Sequence, residues 1–207
     1  MNSFEFTEKT KEHFDNIAST YAESSDGKFC KPVYKSIIKE LEKFKSGKWL
    51  DVSCGTGTVL SMLSSSPLEK YGVDFSEKMI EEAQRNVGEN VQLYVASAEE
   101  MPFDKDTFDV VTCSFAFHHY VHPGVVLQEF HRVMKPEATL IIVDPYLPQP
   151  LRYLINPLLR FSNNGDYHMY GQRELNKLMR ENGFLMEDYL RVDKRVFFSH
   201  SIVKEYE

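Results

Sequence analysis

The chain reads WLDVSCGTG at residues 49–57, which is typical of a buried strand that passes directly into a glycine-rich turn. Asp51 places an acidic group near the end of this strand, while Gly55 and Gly57 keep side chains from blocking access to the backbone. The helix predicted after the turn begins with unpaired backbone N–H groups. The stretch therefore predicts the first strand–turn–helix unit of a nucleotide-binding sheet, and alone it would suit any nucleotide.

Apolar runs and helical patterns alternate along the rest of the chain. Further strands are predicted at Lys70–Asp74, Val91–Ala96, Phe108–Cys113 and Thr139–Val143. Near the C-terminus, strand-like runs at Leu185–Val192 and Val196–Val203 are joined by a turn too short for anything but an antiparallel hairpin. We therefore predict an α/β fold: a doubly wound, Rossmann-like, seven-stranded sheet, mostly parallel, with a C-terminal antiparallel hairpin and helices on both faces.

The length of 207 residues predicts a single domain spanning 1–207. Apolar residues recur at helical spacing before Gly47, so we assign 1–46 to an N-terminal helical cap. Residues 145–170 contain four prolines and a turn signal at Asn163-Asn164-Gly165, but they are too hydrophobic for a linker. We predict that they form a cap over the carboxyl edge of the sheet, with a packed connection that binds no ligand as the alternative.

Composition and charge argue against several classes of protein. The 24 basic and 31 acidic residues give a net charge of −7, so no nucleic-acid partner is expected. No apolar run approaches the roughly 20 residues of a membrane span, and the N-terminus lacks the pattern of a secretory signal. The three cysteines (Cys30, Cys54 and Cys113) form neither a disulfide framework nor a zinc-binding CxxC pair. We expect a cytoplasmic protein and leave its oligomeric state open.

Polar residues follow the ends of the predicted strands, which is where a doubly wound sheet binds its ligands. Asp74 ends the second strand, Ser97-Ala98-Glu99 follows the third, and Ser114-Phe115 follows the fourth. A carboxylate at the end of the second strand can accept hydrogen bonds from both hydroxyls of a ribose, and Met79 and Phe103 are placed to sandwich a base. These strand ends together predict a cradle for an adenosine with a charged tail.

Four motifs resemble the successive motifs of class I S-adenosylmethionine (SAM)-dependent methyltransferases, in the small-molecule branch that includes quinone-biosynthesis methyltransferases. They are Leu50–Gly57, Gly72–Ser76, Ala98–Phe103 and Arg132–Pro136, and the resemblance extends over roughly residues 10–200. It implies SAM as cofactor, S-adenosylhomocysteine (SAH) as product, and a seven-stranded sheet whose final strand is antiparallel.

The resemblance also implies where the cofactor would bind. Asp51 and the turn glycines would surround the methionine part, and Asp74 would bind the ribose. The N-terminal element ending at Tyr21 would fold over the cofactor. The complete implied set of cofactor-binding residues is Tyr21, Asp51, Ser53, Gly55, Gly57, Asp74, Phe75, Met79, Ser97, Ala98, Glu99, Ser114 and Phe115.

Three positions depart from the family pattern. Ser53 replaces the first glycine of the turn, Ser97 stands where an aspartate usually meets the adenine, and Glu137-Ala138 replaces a pair of glycines. The first two positions affect cofactor binding more than the fold, and a serine still accepts a hydrogen bond. The third touches only a turn before the fifth strand.

Residues for the methyl acceptor are expected just past the fourth strand. His119 is the candidate catalytic residue, as a base or hydrogen-bond partner, and a purely structural bond to the backbone is its alternative. His118, Tyr146, His168 and Tyr170 are candidates for lining an aromatic substrate cavity. The histidine spacing lacks the pattern of a metal site, so no metal is predicted.

These observations favour an enzyme that moves a methyl group from SAM to a small-molecule acceptor by in-line displacement. Two alternatives remain open: a SAM- or SAH-binding protein of the same fold without turnover, and an NAD-dependent oxidoreductase. The second is disfavoured because the turn at 53–57 lacks the Gly-x-Gly-x-x-Gly spacing. The sequence does not identify the acceptor or distinguish O-, N- and C-methylation.

Overall fold

A computed structural model describes residues 2–159, 161, 164–192 and 194–204. Its centre is one sheet in the order β3-β2-β1-β4-β5-β7-β6. The first five strands pair in parallel, and β7 is antiparallel to both β5 and β6. The strands are β1 Lys48–Val52, β2 Glu69–Asp74, β3 Val91–Val95, β4 Phe108–Ser114, β5 Met134–Pro145, β6 Phe184–Arg191 and β7 Val196–Val203. The predicted fold class is confirmed.

Helices cover both faces of the sheet. They are α1 Ser3–Ile17, α2 Ser25–Cys30, α3 Tyr34–Leu41, α4 Thr58–Met62, α5 Glu77–Asn86, α6 Pro123–Val133, α7 Gln149–Leu159 and α8 Gln172–Glu181, with 3-10 helices at Ala18–Glu23 and Phe117–His119. Successive residues of a strand point to opposite faces: Trp49 packs with Ile37 and Leu41 of α3, while Leu50 packs in the cluster that contains Leu127 and Phe130 of α6. Within the described residues, none of these helices is long and apolar enough to cross a membrane.

The strand order reverses between β1 and β4, and a crevice opens at the carboxyl ends of the strands at such a point. The N-terminal helices α1 and α2 and the 3-10 helix between them precede α3 and the sheet. The 145–170 segment contains α7. Residues of both predicted caps, Phe14 and Tyr146 among them, line cavities that also contain residues at the carboxyl ends of the strands.

The start of β5 differs from the prediction. The strand begins at Met134 rather than Thr139. Its pairing with β4 is irregular there, because Phe108 pairs with Met134 and Val110 pairs with Thr139. An advance of two residues along β4 thus corresponds to an advance of five along β5. Proline is tolerated at such an irregularity because it breaks no regular ladder bond, which explains why Pro136 lies inside the strand. Glu137 has a φ of 61°, so it adopts the left-handed conformation that glycine favours. Asn163 and Asp193 of the predicted turns lie outside the described residues.

Candidate functional site

A cavity, here called the first cavity, lies at the carboxyl ends of β1, β2 and β4. Its floor consists of the glycine-rich turn and the residues that follow these strands and β3, and its other side is closed by Phe14 of α1 and Tyr21 of the 3-10 helix. Apart from Gly57, every residue predicted to bind the cofactor lines this cavity. The structure thus brings them together, and their contact with a cofactor stays a prediction.

Asp74 joins the end of β2 to the glycine-rich turn. Its Oδ2 accepts the backbone N–H of Gly55 at 2.9 Å, and its Oδ1 accepts the N–H of Ser76 at 2.9 Å. Burial, opposed by these hydrogen bonds, raises the pKa of the Asp74 carboxyl to about 6. Each oxygen has a further lone pair, so the carboxylate can hold the turn and still accept hydrogen bonds from a ligand.

Asp51 is the second acidic group of this cavity. It is almost fully buried and accepts a hydrogen bond from the Thr112 hydroxyl at 2.6 Å. The indole N–H of Trp49 in turn donates to the Thr112 oxygen at 2.8 Å, which orients that hydroxyl. Burial raises the pKa of Asp51 to about 7. A cationic group bound in the cavity would therefore lie near the carboxyl groups of Asp51 and Asp74 and would favour their ionised forms.

The turn after β1 places three alternate residues in the left-handed region: Ser53 at φ 54°, Gly55 at 53° and Gly57 at 70°. This conformation disfavours serine, but the Ser53 hydroxyl shares a 2.8 Å hydrogen bond with the Tyr120 hydroxyl, which fixes it in place. At Gly55 the space for a Cβ is open, with the Met79 sulfur 4.0 Å away as the nearest atom. The turn therefore exposes backbone to the cavity even though its first glycine is missing.

Two expectations for this cavity do not hold. A Cβ on Gly57 would lie 2.9 Å from the Val87 side chain and 3.1 Å from Ala83, so this glycine allows close packing onto α5 and does not line the cavity. Phe103 does not line it either. Its ring packs edge-to-face against Tyr71, Tyr94 and Phe108, so the expected sandwich with Met79 does not form. Sequence reasoning also missed the lining residues Thr7, Thr10, Cys30, Tyr34 and Tyr120.

A second cavity adjoins the first one. Both are lined by Phe14, Tyr21, Cys30, Phe115 and His119. The second cavity extends under the 145–170 cap, where Tyr146, Leu147 and Met169 are among its lining residues. The two cavities therefore share a wall at which two ligands could meet.

His118 is buried between two carboxylates in the wall of the second cavity. Its Nδ1 lies 2.8 Å from Asp144 Oδ1, and its Nε2 lies 3.2 Å from Asp166 Oδ1. Burial alone would lower the pKa of His118, but the two carboxylates outweigh it and raise that pKa well above its usual range. His118 is therefore an imidazolium at neutral pH, with no lone pair to offer as a base.

The segment after α7 is held to His118 through its backbone as well. The N–H groups of Tyr167 and His168 donate to the His118 carbonyl at 3.0 and 2.9 Å. The ring and the backbone carbonyl of His118 thus link the ends of β4 and β5 to the 145–170 cap. Asp144 ends a strand and could have been found by the logic that found Asp74, whereas nothing in the local sequence marks Asp166.

His119 lines both cavities and has a different environment. Its Nδ1 lies 2.7 Å from the Gly165 carbonyl oxygen, and since a carbonyl only accepts, Nδ1 carries the proton and Nε2 the lone pair. Burial and the neighbouring His118 cation lower the pKa of His119 far below its usual value. His119 is thus neutral, and its Nε2 lone pair can accept a hydrogen bond. The bond to the backbone expected as the alternative is present, and a catalytic role stays a prediction.

His168 and Tyr170, which were predicted to line the substrate cavity, line neither of these cavities. His168 Nε2 lies 2.7 Å from Glu174 Oε1. Tyr170 is buried with its ring centroid 5.2 Å from that of Phe117. Of the four predicted substrate residues, His118 and Tyr146 do reach the second cavity.

One group of side chains has the composition of a metal site. Single donor atoms of His118, His119 and Asp166 lie within 4.8 Å of one another. However, both nitrogens of His118 already face carboxylates, which satisfy an imidazolium without an ion. The absence of a resident metal stays a prediction.

Residues 50–142 match the methyltransferase domain family. A demethylmenaquinone methyltransferase of Staphylococcus aureus (strain MRSA252) is 36% identical over 119 residues, which are 55% of this chain and 49% of that protein. The uncharacterized methyltransferase YcgJ of Bacillus subtilis is 33% identical over 117 residues, 55% of this chain and 46% of the relative. The chain spans about half the length of these curated relatives.

Solved structures extend the similarity of fold. A SAM-dependent methyltransferase from Aquifex aeolicus superimposes with a TM-score of 0.67 at 23% identity, covering 82% of this chain and 89% of that structure. At this identity the similarity establishes the fold alone.

Proposed function

We propose that this protein transfers a methyl group from SAM in the first cavity to a small-molecule acceptor in the second, and the match of residues 50–142 to the methyltransferase domain family supports this proposal. The observation that carries the proposal is the wall that the two cavities share at Phe115 and His119. Because the cavities share these lining residues, a methyl donor in the first cavity and an acceptor in the second would lie next to each other.

The first cavity suits the cofactor of this family. The open backbone at Gly55 leaves room for the ligand, and the Asp74 carboxylate retains lone pairs for a ribose diol. The Ser114 hydroxyl lines the cavity and is buried without a hydrogen-bond partner, so it is free to bond the amino-acid tail. The carboxyls of Asp51 and Asp74 favour a ligand that carries positive charge.

When bound, SAM supplies an electrophilic methyl group attached to a sulfonium. The chain's own contribution is mainly positioning, which can be worth about 7–11 kcal/mol in a displacement of this kind. Phe14 and Tyr21 cover the first cavity, and the buried Phe115 ring forms part of the wall that it shares with the second. We expect an in-line arrangement across the wall.

His119 orients the acceptor. Its Nε2 lone pair accepts a hydrogen bond from an acceptor O–H or N–H, while the bond from Nδ1 to Gly165 fixes the tautomer. The His118 imidazolium beside it makes His119 a weak base, so full proton removal before methyl transfer is disfavoured. An acceptor whose proton becomes acidic as the methyl group arrives suits this arrangement best.

The lining of the second cavity favours an acceptor with an aromatic ring. Phe14, Phe29, Phe115 and Tyr146 surround it, and aromatic rings pack well against aromatic rings. The demethylmenaquinone methyltransferase from Staphylococcus aureus is named for an acceptor of this kind. We extend to this chain only the class, a small aromatic compound with a hydroxyl or a reactive ring carbon.

The test is incubation of the purified protein with methyl-labelled SAM and a panel of small phenols and quinols. We expect label on an aromatic acceptor and one SAH released per methyl group transferred. Calorimetric titration with SAM, SAH and NAD on the same preparation separates the alternatives. SAM binding without transfer to any acceptor would favour a non-catalytic protein, and NAD binding without SAM binding would overturn the proposal.

A further inference from the structure

Helix α1 contributes to the walls of both cavities. Thr7, Thr10 and Phe14 line the first cavity, and Phe14 also lines the second. The helix is attached to the rest of the protein in two ways. A charged contact joins it to the start of α5, and apolar contacts join it to the 145–170 cap. α1 therefore connects the elements that form the first cavity with those that form the second.

The charged attachment is made by Asp15, near the end of α1. Its Oδ1 accepts a hydrogen bond from the Ser76 hydroxyl, whose oxygen in turn accepts the Met79 N–H as the N-cap of α5. Burial alone would raise the pKa of Asp15, but hydrogen bonds, the largest from Ser76, outweigh it and lower that pKa. Asp15 is therefore an anion at the N-terminus of α5, where a helix favours negative charge.

Ser76 also connects this contact to the floor of the first cavity. Its backbone N–H donates to Asp74 Oδ1 at 2.9 Å. One residue thus bonds a carboxylate of α1 through its side chain and a carboxylate of the cavity through its backbone. Asp15 itself lines neither of the two cavities. An effect of Asp15 on a bound ligand would therefore be indirect.

The apolar attachment joins α1 to the segment that follows α7. Phe6 is buried, and its ring centroid lies 5.1 Å from that of Tyr167. Gly165 lies so close to α1 that an added Cβ would be 2.6 Å from the Thr10 methyl carbon. Gly165 and Tyr167 are the neighbours of Asp166, which lines the second cavity. α1 therefore supports the cap from one side.

The same segment holds His119, which lines both cavities. The Gly165 carbonyl oxygen lies 2.7 Å from His119 Nδ1. Phe14 contacts this histidine directly, with the ring centroids 5.2 Å apart and the rings edge to face. A displacement of α1 would therefore remove packing both from the His119 ring and from the glycine that holds it.

We propose that Asp15 is a positioning residue: docked on α5, it holds α1 over the first cavity, and α1 then supports the wall of the second cavity at Gly165 and His119. A cofactor in the first cavity would contact Thr10 and Phe14 and stabilise this position of α1, since a ligand favours the conformation that it binds best. Cofactor binding thus orders the acceptor cavity. This coupling rests on the proposed function, whereas the role of Asp15 in holding α1 does not.

The experiment is amide hydrogen exchange of the purified protein, followed by NMR with and without SAH. Without ligand, Asp15→Ala should speed exchange in α1 about tenfold, because a charge-assisted hydrogen bond no longer opposes local opening. The Tyr167 and His168 amides, which donate to the His118 carbonyl, should also exchange faster. Asp15→Asn keeps an acceptor oxygen for the Ser76 hydroxyl and should restore most of the protection.

SAH binding tests the coupling between the cavities. In the wild type, SAH should slow exchange in α1 and at the Tyr167 and His168 amides by at least about threefold. Phe6→Ala removes the ring that packs on Tyr167, so SAH should still protect α1 in this variant but should no longer protect residues 167 and 168. The affinity of Asp15→Ala for SAH, measured by calorimetry, should fall about threefold to tenfold, because less of the protein has α1 in place.

Each variant has a matched control on the same helix. Glu12→Ala removes an exposed acidic residue, and Phe4→Ala removes a ring that is 72% exposed. Both should behave like the wild type. Unchanged exchange in Asp15→Ala, or an equal change in Glu12→Ala, would overturn the role of Asp15. Protection by SAH that is confined to α1 in the wild type would overturn the coupling. Faster exchange in Asp15→Ala, in a protein that does not bind SAH, would contradict the proposed function and not the role of Asp15.

Discussion

The two cavities are built in different ways. The first is formed largely by the glycine-rich turn and the ends of neighbouring parallel strands, so its shape follows from the backbone of the sheet. The second is formed by side chains from the N-terminal helices, the end of β4 and the 145–170 cap, which meet only in the folded chain. The first should therefore tolerate changes in the cap, while the second depends on a few buried contacts.

The largest effect is expected where the second cavity depends on one side chain. His118→Ala would leave the buried Asp144 carboxylate and the partly buried Asp166 carboxylate without their shared partner, and breaking a buried ion pair costs about 3–5 kcal/mol. Chemical denaturation should show this loss of unfolding free energy. His122→Ala, at a half-exposed histidine paired with Glu99, is the control and should cost under about 1 kcal/mol.

If His118→Ala does not fold, Asp166→Asn tests the same contact more mildly. A loss in His118→Ala no larger than in the control would contradict the dependence of the second cavity on this cluster. The affinity for SAM of a folded His118→Ala or Asp166→Asn variant should stay near the wild-type value, because His118 and Asp166 do not line the first cavity.

The same cluster predicts a pH dependence. The folded-state pKa of His118 is raised above that of the unfolded chain, so the stability it contributes is complete below the unfolded value of about 6.5 and is lost as the pH rises through the folded value. The wild type should lose unfolding free energy on the alkaline side. His118→Gln removes the titrating group and should flatten that part of the profile. A wild-type curve parallel to that of the variant would show that His118 is uncharged in the folded protein.

The residues of the first cavity were easier to predict from the sequence than those of the second, because they follow directly from the strand ends. The turn at 53–57 and Asp74 are local features placed by strand order, and both were found. Phe103 was misplaced because an aromatic residue near a strand end packs equally well into the core, as it does here against Tyr71. His168 was misplaced because only the folded cap shows that it faces Glu174.

Asp74→Ala tests the first cavity and should have the next largest effect. Removing the carboxylate would delete the charge-assisted hydrogen bonds that we propose for the ribose, which should weaken SAM binding by about 1–3 kcal/mol in calorimetric titration. Asp109→Ala is the control, because that carboxylate bonds Lys135 and does not line the cavity. Unchanged affinity in a folded Asp74→Ala protein would remove Asp74 from the proposed site. A small loss of stability is expected as well, since Asp74 also accepts the Gly55 N–H.

The smallest effects are expected at Glu137 and Ser53, two residues in the left-handed conformation. Glu137→Gly should stabilise the fold by up to about 1 kcal/mol, because glycine relieves the left-handed conformation. Ser53→Gly should gain less, since it also loses the hydrogen bond to Tyr120. In a Tyr120→Phe background the two gains should become similar, as measured by thermal unfolding. A Ser53→Gly gain that does not depend on Tyr120 would show that this hydrogen bond does not hold the turn.

A crystal structure of the protein grown with SAH and an aromatic phenol would show directly whether the first cavity binds the cofactor and the second binds the acceptor. We expect the SAH ribose within hydrogen-bond distance of the Asp74 carboxylate and the amino-acid tail of SAH at Ser114. The phenol should lie in the second cavity with its hydroxyl on His119 Nε2. Density for SAH elsewhere, or a phenol bound away from His119 while SAH fills the first cavity, would contradict this assignment of the two cavities.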